Sequence, residues 1–132
     1  MAIAQESPAV TTALAHCEAW SSHDWDTARG MLAADVKVSA STTSPLMPET
    51  NLAGADAYME GLKQFAGAVV PGSLRVNAQV GDERNALLLV TVQAAFGPGG
   101  APISLLGARL YLFDDEGKIQ VERIVFFVSS EL

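Results

Sequence analysis

The fold is decided by residues 103–128, which read ISLLGARLYLFDDEGKIQVERIVFFV. Two long runs rich in aliphatic and aromatic residues, Ile103–Phe113 and Lys118–Val128, flank the polar sequence Asp114-Asp115-Glu116-Gly117. Such runs are typical of β-strands, and a short Asp- and Gly-containing segment between them is typical of a turn. The segment therefore predicts a β-hairpin with two long antiparallel strands.

The length of this turn predicts the register of the hairpin. If the turn has four residues, Phe113 faces Lys118 and Arg109 faces Glu122. Directly opposed residues point to the same face and lie about 5 Å apart at Cβ. Their neighbours on that face are mostly apolar, namely Ile103, Leu105, Gly107, Tyr111, Ile124, Phe126 and Val128. The hairpin thus predicts one Arg–Glu ion pair within an apolar sheet face.

Upstream of the hairpin, apolar residues recur at helical spacing in three segments. Ser7-Pro8 predicts the start of a first helix that ends at Ser21, Asp24 caps a second helix, and Gly54 opens a third. The remaining predicted elements are a short strand at 35–39, a loop at 41–51, a strand at 74–80, and an apolar strand at 86–96 covered on both faces.

The predicted order of elements is α-α-β-α-β-β-β-β, which indicates the α+β class. We expect a strongly curved antiparallel sheet wrapped around about three N-terminal helices, with a cavity left at one end. The 132 residues contain no repeat and no linker that would divide them, so residues 1–132 are predicted to form one domain.

Composition excludes several classes of function. Hydrophobic residues make up 49% and charged residues 17%, which leaves apolar surface for a cavity or an interface. A net charge of -7 and scattered Lys and Arg residues argue against nucleic-acid partners and anionic membrane surfaces. The longest apolar run, residues 86–90, is too short to span a membrane, and no signal peptide is apparent.

The numbers and positions of the histidines, the cysteine and the glycines further limit the kinds of site that the chain can form. The single cysteine, Cys17, fits a reducing compartment, so a cytoplasmic location is expected. Two histidines and one cysteine do not easily make a zinc site, and no glycine-rich phosphate loop follows a strand. We therefore expect neither a metal nor a cofactor.

Four short motifs occur in an order and spacing that resemble the nuclear transport factor 2-like superfamily, in its SnoaL-like and ketosteroid-isomerase-like branches. They are His23-Asp24-Trp25-Asp26, Met31–Val36, Leu52-Ala53-Gly54 and Asp115–Ile119. The resemblance spans nearly the whole chain and implies a cone-shaped, cystatin-like α+β domain. The superfamily includes isomerases, cyclases, epoxide hydrolases, dehydratases and non-catalytic carriers, so the fold does not settle the chemistry.

The resemblance allows the family's catalytic positions to be compared with this chain. His16 matches a tyrosine on the first helix of ketosteroid isomerases, Ala40 their catalytic aspartate, and Arg109 their protonated aspartate. SnoaL-like cyclases often carry an aspartate after the aromatic pair of the last strand, where this chain has Val128. Both familiar general bases are missing, which argues against steroid isomerisation or aldol cyclisation by the known mechanisms. The Arg109–Glu122 pair resembles part of the Asp-Arg-Asp set of limonene-epoxide-hydrolase-like relatives.

Arg109, Glu122 and His16 are the candidate catalytic residues. Arg109 would hold an oxygen of the ligand, while Glu122 or His16 would move a proton. The candidate ligand contacts are Trp20, Tyr58, Leu105, Tyr111, Ile124 and Phe126. Under the competing interpretation the charges of Arg109 and Glu122 only neutralise each other, and the aromatic residues pack the core.

Three functions remain open from the sequence. The first is an enzyme that acts on a small apolar molecule as an isomerase, lyase or hydrolase. The second is a domain that binds such a ligand without turnover. The third is a homodimeric interaction module built on the apolar strands, which is compatible with either of the others.

Overall fold

The computed structural model describes residues 7–42, 49–95 and 100–128 as three helices on one six-stranded curved sheet. The elements are α1 (Pro8–Ser21), α2 (Trp25–Gly30), β1 (Leu32–Thr42), β2 (Thr50–Ala53), α3 (Ala55–Ala68), β3 (Arg75–Gly81), β4 (Asn85–Ala94), β5 (Ile103–Phe113) and β6 (Ile119–Val128). The predicted α+β class is confirmed.

The helix starts follow the predicted caps. The Ser7 side chain accepts a hydrogen bond from the Val10 amide at 3.1 Å, and Pro8 occupies the first turn of α1. Asp24 caps α2 by accepting a hydrogen bond from the Thr27 amide at 3.4 Å. Gly54 precedes α3 with a φ of 92°, a conformation that favours glycine. These caps fix where each helix meets the sheet.

The strands lie in the order β2-β1-β6-β5-β4-β3. Every neighbouring pair is antiparallel except β1 and β6, which run parallel. The sequence predicted an antiparallel sheet throughout. The parallel pair arises because the first long strand lies beside the last strand of the chain, which runs in the same direction.

Three strand predictions differ from the structure. β1 spans Leu32–Thr42, whereas the sequence predicted a short strand at 35–39. Residues 50–53 form β2, although the sequence predicted a loop up to Asn51 and then the start of a helix. In β4 only alternate residues are buried, so this strand is covered on one face and the prediction of two covered faces is wrong. Leu87, on the outer face, is 38% exposed. The predicted end of that strand at Phe96 lies outside the described residues.

The hairpin register also differs from the prediction. Arg109 lies opposite Ile124, and Glu122 lies opposite Tyr111, two positions from the predicted pairing. The turn is longer than expected, with the Asp114 amide donating to the Lys118 carbonyl at 2.9 Å, and the pairing shifts again between Leu112 and Phe113. From Val121 onward the shift is two residues, so Arg109 and Glu122 keep their predicted face. Nearer the turn the shift is one residue, and Ile119 rather than Lys118 pairs with Phe113 and is buried.

The core lies between the concave face of the sheet and the helices. α1 buries residues from successive turns against β4 and β5, with Ala13 and Trp20 fully enclosed. α3 packs across β1 and β2 and buries Tyr58, Met59 and Leu62. The sheet and the two long helices therefore meet around the inner face of β5 and β6, where Arg109 and Glu122 are found.

Candidate functional site

A cavity of about 170 Å³ lies between α3 and the inner faces of β1, β2, β5 and β6. Its wall is largely apolar, with contributions from Val38, Leu52 and Phe65, and it carries the polar side chains of Ser41, Thr50, Tyr58, Arg109 and Glu122. Thr50 is exposed, whereas Tyr58, Arg109 and Glu122 are at most 4% exposed. The cavity therefore has a mouth near Thr50 and a closed polar end.

Arg109 and Glu122 form a buried ion pair at the closed end. Arg109 Nη1 donates to Glu122 Oε2 at 3.0 Å, and the two residues are 3% and 1% exposed. They are diagonal neighbours across β5 and β6, within reach of long side chains. The predicted pair thus forms in spite of the different register. Because the pair is buried, removing either residue would leave the charge of the other buried without a partner.

Tyr58 completes the polar end of the cavity from α3. Its hydroxyl donates a hydrogen bond to Glu122 Oε1, so each carboxylate oxygen has one partner. Burial raises the pKa of Tyr58 well above its usual value, and the negative charge of Glu122 raises it further. Tyr58 therefore remains a protonated donor that orients the carboxylate. Each carboxylate oxygen has two acceptor positions, so Glu122 retains capacity to accept a proton.

The guanidinium of Arg109 lies among three aromatic rings. Its central carbon is 5.2 Å from the ring centroid of Trp20, 5.7 Å from Phe65 and 5.8 Å from Phe126. These contacts stabilise a buried cation and hold it in place. Nε of Arg109 is enclosed and has no hydrogen-bond partner among the described residues. Nη2 also donates to none of these residues, and Arg109 lines the cavity, so the arginine keeps a donor that a ligand oxygen could use.

His16 lies behind this group rather than at the cavity wall. Its ring packs edge-on against Tyr58 with centroids 5.9 Å apart, and it is fully buried. Neither ring nitrogen has a hydrogen-bond partner within the described ranges. Burial lowers the pKa of His16; Glu122 opposes this and Arg109 adds to it. The imidazole is therefore neutral at pH 7, and its role as a proton carrier stays a prediction.

The predicted ligand contacts separate into two groups. Tyr58, Ile124 and Phe126 line the cavity. The others, Trp20, Leu105 and Tyr111, are fully buried and lie outside the set of residues that line it. Tyr111 shares a hydrogen bond with the Cys17 thiol, with Oη and Sγ 3.5 Å apart. The roles of all six as ligand contacts stay predictions.

Sequence reasoning missed several residues of the cavity wall. Leu52 was predicted at the start of a helix, and Gly61 and Phe65 were not assigned to a site, yet all three line the cavity. The bond between Tyr58 and Glu122 was also missed. Its signal was the position of Tyr58 on the inner, apolar face of the third predicted helix. Ala40, at the family's catalytic aspartate position, lines the cavity without offering a base.

Within the described part of the chain, no group of three or more His, Cys, Asp or Glu residues is placed to hold a metal ion. The helices found in those same ranges are all too short or too polar to cross a membrane.

Comparison with known proteins agrees with this architecture. A family model described as a SnoaL-like domain matches residues 13–122. No curated protein matches. Among solved structures, a protein from Kribbella flavida is 28% identical, with a TM-score of 0.74, over 92% of this chain and 88% of that one.

Two further structures are similar at lower identity. RV0760c from Mycobacterium tuberculosis, solved in complex with estradiol-17beta-hemisuccinate, is 17% identical over 90% of this chain and 93% of that one, with a TM-score of 0.74. A steroid delta-isomerase from Pseudomonas aeruginosa is 18% identical over 98% of this chain and 87% of that one, with a TM-score of 0.67. These two likenesses concern the fold alone.

Proposed function

The chain belongs to the SnoaL-like domain family, and we propose that it binds a small apolar molecule with a carbonyl group and transfers a proton on it through Glu122. The observation that carries the proposal is the Glu122 carboxylate at the cavity wall, held by Tyr58 and Arg109. A base must lie within hydrogen-bond reach of the proton that it removes, and among the described residues that line this cavity Glu122 is the carboxylate.

The proposed step needs no co-reactant. Glu122 accepts a proton from the carbon next to the ligand carbonyl, and the electron pair of the broken C–H bond moves onto the carbonyl oxygen. The Arg109 guanidinium stabilises that developing negative charge through Nη2, which donates to none of the described residues. In a ligand with a C=C bond next to the acidic carbon, return of the proton from Glu122 to the far carbon of the dienolate completes an isomerisation. Exchange results when Glu122 first swaps its proton with solvent and then returns a solvent-derived proton to the original carbon.

The relatives support a small-molecule role in general terms. RV0760c was solved with a steroid derivative, and the Pseudomonas aeruginosa protein is a steroid isomerase. This chain differs from the isomerases of its superfamily at the base, because Ala40 occupies the matching position and Glu122 projects into the cavity from another strand. We therefore place the proton transfer on a different residue.

Proton exchange provides a test that does not require the natural substrate. The chain is incubated in D₂O with 3-cyclohexen-1-one, and ¹H NMR follows loss of the α-proton signals and formation of 2-cyclohexen-1-one. We expect exchange and isomerisation faster than in buffer alone. If the ketone binds but exchanges at the buffer rate, the chain is a binding domain without turnover and the proposal is wrong.

The outer face of the sheet favours a second role, the association of two copies of the chain. Apolar residues continue across the outer faces of β3, β4 and β6, where Val80 is 64% exposed, Leu87 38% and Val125 37%. The outward-facing residues described on β4, β5 and β6 include no Asp or Glu, although the chain carries a net charge of -7. Two copies could therefore pair through this face without repulsion between acids.

A charge placed in the centre of this face tests the association. We expect the wild-type chain to sediment as a dimer at micromolar concentration and the Leu106→Glu variant to sediment as a monomer. Leu106 lies between Thr91 and Phe127 on the neighbouring strands, so its replacement would bury an unpaired carboxylate, which is costly. Gln64→Glu, which adds the same charge at an exposed position on α3, serves as the control and should remain dimeric. A monomeric wild-type chain would exclude this role.

A further inference from the structure

The charges at the cavity wall cancel. Among the described residues that line the cavity, Arg109 carries the positive charge and Glu122 the negative charge, with 3.0 Å between their bonded atoms. Tyr58 is held in its protonated, neutral form, and His16 behind it is neutral because burial lowers its pKa. The closed end of the cavity therefore has a net charge of zero before any ligand enters.

A neutral site of this kind disfavours a charged ligand. A carboxylate entering the cavity would lose its hydration and meet a cation already paired with Glu122. An ammonium group would meet a carboxylate already paired with Arg109. Either ligand would leave one uncompensated charge in an apolar, buried environment, which is strongly unfavourable. An uncharged ligand avoids that cost.

Arg109 still provides a place for one acceptor oxygen. Of its five N–H donors, one on Nη1 donates to Glu122, and Nη2 donates to no side chain or carbonyl in the part of the chain that the structure describes. Because Arg109 lines the cavity, an acceptor on the ligand can bind this nitrogen. The rest of the wall is mainly aliphatic and aromatic, so further polar groups on the ligand would find few partners.

The size of the cavity limits the size of the ligand. A cavity of roughly 150 Å³ lined by apolar side chains holds benzene, and this cavity measures about 170 Å³. The wall is closely packed where α3 meets β2, since a Cβ added at Gly61 would lie 2.8 Å from Leu52 Cδ1. One six-membered ring with a small substituent fits inside this space, whereas a four-ring steroid exceeds it and would have to project through the mouth near Thr50.

We infer that the site selects an uncharged molecule about the size of one six-membered ring, with a single acceptor oxygen that binds Arg109. The inference rests on the proposed function for the location of the site, but it concerns binding and requires no turnover. Absent proton exchange would overturn the proposed reaction, whereas a different order of ligand affinities would overturn this inference.

Calorimetric titration with three probes tests the selectivity. The probes are 2-cyclohexen-1-one, which is neutral with one oxygen, cyclohexanecarboxylate, which has a similar size and a negative charge, and estradiol, which is neutral with four rings. We expect wild-type chain to bind 2-cyclohexen-1-one at least tenfold more tightly than either of the others. Equal or tighter binding of the carboxylate or of estradiol would overturn the inference.

The variant Glu122→Gln should reverse the charge preference. Glutamine keeps an acceptor for Tyr58 but leaves the charge of Arg109 uncompensated. We expect this variant to bind cyclohexanecarboxylate at least tenfold more tightly than 2-cyclohexen-1-one and to unfold at a higher temperature when the carboxylate is present. If it folds only in the presence of cyclohexanecarboxylate, circular dichroism reports the same preference. An unchanged wild-type order of affinities would contradict the charge argument.

Two further variants provide matched controls. The double variant Arg109→Met/Glu122→Met has no charge at the cavity wall and should show no gain in carboxylate binding. Leu52→Ala should widen the cavity and bind the two-ring ketone 1-decalone at least tenfold more tightly than wild type does. Leu87→Ala, on the outer face of the sheet, should leave that affinity unchanged. Wild-type affinity for 1-decalone in Leu52→Ala would show that Leu52 does not set the size limit.

Discussion

Replacing Arg109 with methionine is expected to lower the free energy of unfolding by about 3–5 kcal/mol, which is the range for breaking a buried ion pair. The substitution leaves Glu122, which is 1% exposed, without its cation. Methionine itself fits a pocket formed by Trp20 and two phenylalanines. The lower free energy of unfolding therefore results from the unpaired Glu122 carboxylate rather than from poor packing. Urea denaturation at pH 7 measures this free energy.

The double variant Arg109→Met/Glu122→Met separates these two causes. Replacing both partners of a buried ion pair with apolar residues is often neutral or stabilising, so the double variant should regain most of the stability lost by the single one. A loss below about 1 kcal/mol in Arg109→Met would mean that the pair is reached by water and contributes little, as exposed pairs do. That result would remove the reason for expecting the closed end of the cavity to disfavour a charged ligand.

Substituting Glu122 with glutamine is expected to lower the rate of α-proton exchange on 3-cyclohexen-1-one by about 10²–10⁴-fold, the usual contribution of a positioned general base. Glutamine has nearly the same shape as glutamate and still accepts the Tyr58 hydrogen bond, but it cannot accept a proton from carbon at neutral pH. NMR in D₂O measures the rate directly.

Two other carboxylate variants make the result specific to Glu122. Glu122→Asp keeps the charge beside Arg109 but withdraws the carboxylate from the ligand, so we expect a stable protein with slower exchange. Glu60→Gln removes an exposed carboxylate from α3 and should exchange at the wild-type rate. Full activity in a folded Glu122→Gln variant would show that another group moves the proton.

Local sequence patterns predicted the helices and the long strands well. The cap residues Ser7, Asp24 and Gly54 mark where the helices start, and β5 occupies the predicted residues 103–113. These elements are determined by side chains close in sequence, which is why they could be read without a structure. The short strand β2 could not, because its four residues form a strand only by pairing with β1.

The ion pair was predicted from a register that is wrong by two residues. The prediction of the pair was confirmed because a shift of two keeps Arg109 and Glu122 on the same face, and their long side chains bridge the diagonal separation. A shift of one would have moved one of them to the outer face. The face was therefore predictable from alternation along the strands, whereas the pairing depended on a turn geometry that sequence alone does not fix.

The contribution of Tyr58 to the site could not be derived from the strands. Tyr58 lies on α3, and its contact with Glu122 depends on how that helix crosses β1 and β2. Sequence periodicity shows which face of a helix is apolar, but it does not give the crossing position. For the same reason the sequence could not show that Trp20 and Tyr111 lie behind the cavity wall rather than at it.

A crystal structure of the protein with 2-cyclohexen-1-one tests the central claim most directly. The account predicts the ring between Phe65 and Ile124, with the ketone oxygen about 2.7–3.2 Å from a guanidinium nitrogen of Arg109. It also predicts that Glu122 remains beside the ligand and bonded to Tyr58. A ligand bound elsewhere, or an Arg109–Glu122 pair turned away from the cavity, would contradict it.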